Sequence, residues 1–178
     1  MKKMIYVFLL AVLAATAFAQ TNKIAVGLDT FPLLKGVIYT DFDQDNNLIA
    51  LSPAFEYLVA PHFSAGGVLD LWFGKASDID ILYFGLTAHG RWYYKPGLDG
   101  LFLDAGVGFN ALSVDGKAPD TDHAGFSGVT ASLKAGYKLV FGKHFFVEPS
   151  IAYVYSKSGF VPVTPQGWQP GLIIGGTF

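Results

Sequence analysis

The 178-residue sequence has no cysteine, little charge and no apolar run of membrane-helix length. Without cysteine there is no disulfide framework and no thiol for lipid attachment. Charged residues make up 15% of the chain, against about a quarter in an ordinary soluble domain. The groups that hydrate a soluble surface are therefore scarce. No stretch reaches the roughly 18–20 consecutive apolar residues of a spanning helix. A formal charge of −2 offers no basic face to nucleic acid. What is plentiful is apolar surface, at 52% of residues, with 16% aromatics and 21 glycines. Such a chain is not disordered. An apolar chain without a spanning helix leaves the transmembrane β-barrel as the class to test.

Lys2 and Lys3 precede an apolar stretch from Ile5 to Leu13, and Ala17-Phe18-Ala19 follows it. A positive start, a short apolar segment and small residues at the cleavage positions describe a secretory signal peptide over residues 1–19, cut before Gln20. The barrel domain is then 20–178.

Beyond that point hydropathy alternates with period two in eight segments, roughly 22–30, 48–59, 63–74, 80–94, 101–112, 127–141, 145–156 and 167–178. One face is apolar in every strand, for example Phe55, Tyr57 and Val59, or Leu82, Phe84 and Leu86, and carries no charge. The other face carries Lys23, Asp29, Glu56, Asp70, Arg91, Asp104, Lys134, Lys138 and Glu148, with His89, Asn110, Gln169 and many glycines. A soluble barrel would have to bury that charged face in its core, at a large desolvation cost. Turned inside out, the apolar face meets lipid and the polar face lines the lumen. The fold expected is an all-β, eight-stranded, antiparallel up-and-down transmembrane barrel.

The connections agree. Links 60–62 and 142–144 are tight and 95–100 is short, whereas 31–47, 113–126 and 157–166 are long, with 75–79 between. Short periplasmic turns and long outer loops are the usual arrangement, and an even strand count puts both termini in the periplasm. Residues 37–42 would supply a further strand in a ten-stranded alternative, ranked second because it reverses the two ends. Tyr57, Phe63, Trp92, Tyr94, Phe141, Phe145 and Phe178 would form the periplasmic aromatic girdle, and Phe73, Phe109, Tyr155 and Trp168 the outer one.

Three stretches carry a family likeness: Tyr57-Leu58-Val59-Ala60-Pro61-His62-Phe63-Ser64, Gly90-Arg91-Trp92-Tyr93-Tyr94, and Gly136-Tyr137-Lys138-Leu139-Val140-Phe141-Gly142-Lys143. With the terminal Phe178, the chain resembles a small bacterial outer-membrane β-barrel protein of the eight-stranded class. The resemblance covers the whole chain after the signal peptide. It implies that Phe178 is an assembly signal read by the barrel-assembly machinery, preceded by alternate apolar Leu172 and Ile174. Gly176 at the intervening position departs from the pattern. The class includes porin-like, adhesive, structural and lipid-modifying proteins, and it brings no catalytic motif.

Other chemistry is thin. Gly106-Val107-Gly108-Phe109-Asn110-Ala111 matches a relaxed dinucleotide fingerprint, but a loop follows it where a helix is required. Asp41, Asp43 and Asp45 alternate as in a calcium loop, yet Asn46 and Ser52 stand where glycine and glutamate belong. A looser divalent site at these carboxylates is an alternative to a solvated loop. A lipid hydrolase would need a serine, a histidine and an acid on the lipid-facing surface, and no histidine lies there. His62 and His144 fall in turns, His123 in a loop beside Asp120 and Asp122, and His89 faces inward. His89 and Ser132 both point inward, on strands that are not neighbours. No catalytic residue, metal ligand or cofactor is expected.

The inward charges are more informative. Counted from the turn end of each strand, Glu56, Arg91, Asp104, Lys138 and Glu148 lie about four residues in, and Asp70 and Lys134 about eight. Arg91 should therefore meet Asp104, and Lys138 should meet Glu148, as cross-strand pairs. Four cations against five carboxylates suit a filled polar lumen, because buried charges need partners. The leading reading is a non-enzymatic outer-membrane barrel with a charge-paired lumen, in contact with outer-membrane lipids and serving a structural or surface-binding role. A narrow porin-like channel, with water beside the inward glycines, is second, and a lipid-modifying enzyme third. N-terminal sequencing of the membrane-bound protein should begin at or near Gln20. Recovery of Met1 would remove the signal peptide from this account.

Overall fold

A computed structural model describes residues 23–30, 47–76, 79–116, 124–142, 144–157 and 167–178. The signal-peptide segment, the extra-strand segment 37–42, the aspartates at 41, 43 and 45, and His123 with Asp120 and Asp122 lie outside these residues. Nine strand segments follow one another: β1 Ile24–Asp29, β2 Asn47–Leu51, β3 Pro53–Ala60, β4 Phe63–Ala76, β5 Ile79–Tyr93, β6 Gly100–Gly116, β7 Ala124–Phe141, β8 Phe145–Lys157 and β9 Gly167–Thr177.

All pairings are antiparallel between neighbours in the chain, and β1 pairs with β9 to close the cylinder. β2 and β3 are one strand with a break. Leu51 faces Leu71 and Ala54 faces Val68 in the same register on β4. The break falls at Ser52 because Pro53 has no N–H to give the ladder. The barrel therefore has eight strands, as the alternation implies. β6 runs four residues further than expected, through Ser113-Val114-Asp115-Gly116, paired with β5. The Gly106-Val107-Gly108 motif is thus mid-strand, and more strand follows it.

The apolar face lies outside. Phe55, Leu82, Leu133, Tyr137, Tyr153 and Trp168 are all exposed, Trp168 at 71%. A soluble domain would not present such a continuous apolar wall. Edge-on ring pairs Trp92–Tyr94 and Tyr153–Trp168, with centroids 6.4 and 5.4 Å apart, stand on it.

The lumen differs from the expected polar filling. At the tight-turn end its base is apolar, built from Ala25, Tyr93, Phe102, Phe146 and Ile173, with Leu98 of the β5–β6 turn folded in beneath. Leu58, Val140 and Ala54 pack against this cluster. Nor do the inward glycines leave room for water where rings cover them. The His89 ring lies over Gly66, where a Cβ would stand 2.8 Å from Nε2. Phe102 covers Gly136, with a Cβ there 2.5 Å from Cζ, and Phe146 covers Gly175 at 2.8 Å. Each ring and its glycine are direct cross-strand partners.

Gly175 sits in the β1–β9 seam, where a Cβ would also come within 2.1 Å of the Val26 carbonyl oxygen. Gly175→Ala should cost about 1–3 kcal/mol as an overpacked site. Gly90→Ala, in open space on the outer wall, should stay within about 0.5 kcal/mol. Urea unfolding of the barrel in lipid vesicles reads the difference, and equal stabilities would contradict the closeness of the seam.

Candidate functional site

Directly above the apolar base lies a layer of buried charge. Glu56 on β3, Arg91 on β5, Asp104 on β6, Lys138 on β7 and Glu148 on β8 are each 5% exposed or less. Strand alternation points all five inward, and their similar distance from the tight turns brings them to one level.

Arg91 is the centre. Its Nη1 and Nη2 donate to the two oxygens of Glu148 at 2.8 and 2.9 Å, a fork-on-fork pair. Nη1 also reaches Glu56 Oε2 at 3.1 Å, and Nε reaches Asp104 Oδ2 at 3.1 Å. The Lys138 ammonium contacts Glu56 and lies 3.2 Å from Glu148 Oε2. Both expected pairs, Arg91 with Asp104 and Lys138 with Glu148, are thus in contact. They are not separate pairs, however. Arg91 and Glu148 are on strands that are not neighbours, and their bond crosses the lumen. Glu56 further accepts from Ser64 Oγ and, at 2.8 Å, from Tyr93 Oη.

The cations also rest on the rings beneath. The Arg91 guanidinium carbon is 3.8 Å from the Phe102 ring centroid, and Lys138 Nζ is 4.6 Å from that of Phe146. A desolvated cation over a ring face gains on the order of 2 kcal/mol. Carboxylates therefore hold the two cations laterally and aromatic faces hold them from below.

His89 Nδ1 sits 2.8 Å from Asp104 Oδ2, close enough for charge attraction though off the line of a hydrogen bond. Lys134 stands opposite Asp104 in the β6–β7 register. Asp70, half-buried, lies further toward the loop end opposite Gly85. The Nε2 side of His89 is turned to Gly66 on β4, whereas Ser132 lies on β7, beyond Gly106 on the other side. No hydrogen-bonded serine–histidine pair forms there. His62 and His144 sit in the turns, with Nδ1 of each 3.0 Å from a backbone carbonyl, of Tyr93 and Thr177. Among the described residues no three histidine, aspartate or glutamate side chains are grouped to hold a metal ion.

The space left among Glu56, His89, Arg91, Lys138, Phe146 and Glu148 is a cavity of about 10 Å³, at the lower limit for one water.

Sequence reading missed Tyr93, Phe102, Phe146 and Ile173. A signal was present. Each is the middle of three consecutive apolar residues at the tight-turn end of a strand, as in Trp92-Tyr93-Tyr94 and Leu101-Phe102-Leu103. Alternation obliges the middle residue to face the lumen.

A closed eight-stranded antiparallel cylinder, apolar outside and charge-paired within, has the architecture of the outer-membrane β-barrels. The model of the autotransporter beta-domain family matches residues 64–167, more than half of the chain, and the chain belongs to that family. The crystal structure of the N-terminal beta-barrel domain of OprF from Pseudomonas aeruginosa superposes with a TM-score of 0.53 at 13% identity, covering 89% of this chain and 98% of that one. At that identity the likeness is one of fold. No curated protein matches the chain. Family and fold together point to the bacterial outer membrane.

Arg91→Ala leaves three carboxylates with Lys138 in a buried layer and should cost about 3–5 kcal/mol. Double-mutant cycles by urea unfolding should give a larger coupling for Arg91 with Glu148 than for Arg91 with Asp104, because the first pair is bidentate. Strict additivity in either cycle would refute that contact.

Proposed function

We propose that the protein is a non-enzymatic integral barrel of the bacterial outer membrane whose lumen is closed, and which serves the envelope structurally or binds through its outer loops. The observation that carries this reading is the residual cavity of about 10 Å³ in the charge layer, seated on an apolar base. A hydrated ion passing along the axis would have to separate Arg91 from Glu148 and then displace the Phe102 and Phe146 rings. The rings over Gly66, Gly136 and Gly175 also argue against the channel reading, because they occupy the room that reading needs.

In this proposal the tight-turn end faces the periplasm, residues 1–19 are the export signal, and lipid and the barrel-assembly machinery are the partners. In the same proposal Phe178 is the residue read during assembly. Its main chain exchanges hydrogen bonds of 2.8 and 3.1 Å with Ile24 across the closing seam, and its ring stacks on His144.

Planar-bilayer recording of the refolded barrel tests the closed lumen. The wild-type protein should give no steady conductance steps, and Phe102→Ala/Phe146→Ala should conduct. Steady conductance by the wild-type barrel would replace this reading with the channel.

A further inference from the structure

The outer wall is indented across β5 to β8. Leu86, Phe109, Val129 and Tyr155 stand around a concavity of about 610 Å³ whose floor holds Ala88 and Ala131. In register, Ala88 is followed by Val107, Ala131 and Tyr155 on successive strands. The row beside it, toward the loop end, runs Leu86, Phe109 and Val129. Alanine in place of a long side chain at two positions lowers the wall there. Four strands at about 4.8 Å spacing make the groove about 14 Å across.

The groove is apolar except at one corner. Lys157, opposite Val129 on the last turn of the ladder toward the loops, closes that corner. Exposed Lys75, also near the loop end, lies 3.4 Å from Asp80. Lys157 has no ion-pair partner among the described residues. An apolar trough ending in an exposed ammonium is complementary to an amphiphile with one chain in the trough and a negative head at its end. A second copy docking through the same face would bring its own Lys157 to the patch, where like charges repel.

We propose that this groove binds an anionic membrane lipid, with an acyl chain over Ala88 and Ala131 and the headgroup phosphate on Lys157. The proposal rests on the membrane-spanning reading above.

The test uses the full barrel refolded into vesicles of equimolar phosphatidylglycerol and phosphatidylcholine with matched chains, released and weighed by native mass spectrometry. Phosphatidylglycerol should be retained about fivefold over phosphatidylcholine, the factor expected of one lysine at a membrane surface. Lys157→Gln should keep lipid retention and lose the preference. Ala88→Leu/Ala131→Leu, which fills the groove from the lipid side, should lose retention of both lipids. Equal retention of the two lipids by the wild-type barrel would overturn the proposal, as would a lipid-free dimer. So would unchanged retention in the filled variant. A barrel that fails to enter vesicles would instead overturn the membrane-spanning reading, whereas an inserted barrel without preference overturns only the lipid site.

Discussion

The lumen is organised around one constraint, the presence of a permanently charged guanidinium buried within it. Arg91 is the only arginine in the chain, and its planar fork sets what surrounds it. Glu148 takes the two parallel bonds, Asp104 takes Nε, and Glu56 takes the remaining direction at Nη1. Three carboxylates around one arginine would repel one another. Lys138 between Glu56 and Glu148 relieves that repulsion. With Lys134 and His89 beside Asp104, the layer approaches electrical balance.

The apolar base makes this layer stable in one position. Aromatic faces lie directly below the two cations, and the low local dielectric of a buried layer strengthens the charge pairs above. The two layers depend on each other. The charges without the base would be open to hydration from the tight-turn end, and the base without the charges would leave the cylinder walls without ion pairs across the lumen. Arg91 to Glu148 and Lys138 to Glu56 are side-chain ties between strands that share no ladder.

Much of this was legible in the sequence. The outer wall could be read because one face of every strand is unbroken apolar, and period two then assigns every other residue inward. The inward charges were named for the same reason. The Arg91–Asp104 contact could be read because neighbouring antiparallel strands share a turn from which to count. Arg91 to Glu148 could not, because β5 and β8 share no turn, and the contact depends on how the cylinder curves. The aromatic base was concealed by its surroundings. Phe102 between Leu101 and Leu103 reads as one more apolar residue in a hydrophobic run, until alternation is applied to it.

The rings that lie over glycines bear on how the strands find their partners. Period two distinguishes inside from outside, so a slip by one residue is heavily penalised. A slip by two keeps every residue on its proper face and would pass unnoticed by hydropathy. It would not pass unnoticed by Phe146, which would leave Gly175 and meet Ile173 or Thr177. Phe102 would likewise move from Gly136 onto Lys134 or Lys138, and His89 from Gly66 onto Ser64 or Val68. These ring–glycine pairs act as keys that admit one alignment out of a ladder of near-equivalent ones. At Gly66 and Gly175 a side chain would also strike a neighbouring strand's carbonyl, of Phe55 and Val26, so these two glycines stay fixed whatever ring lies over them.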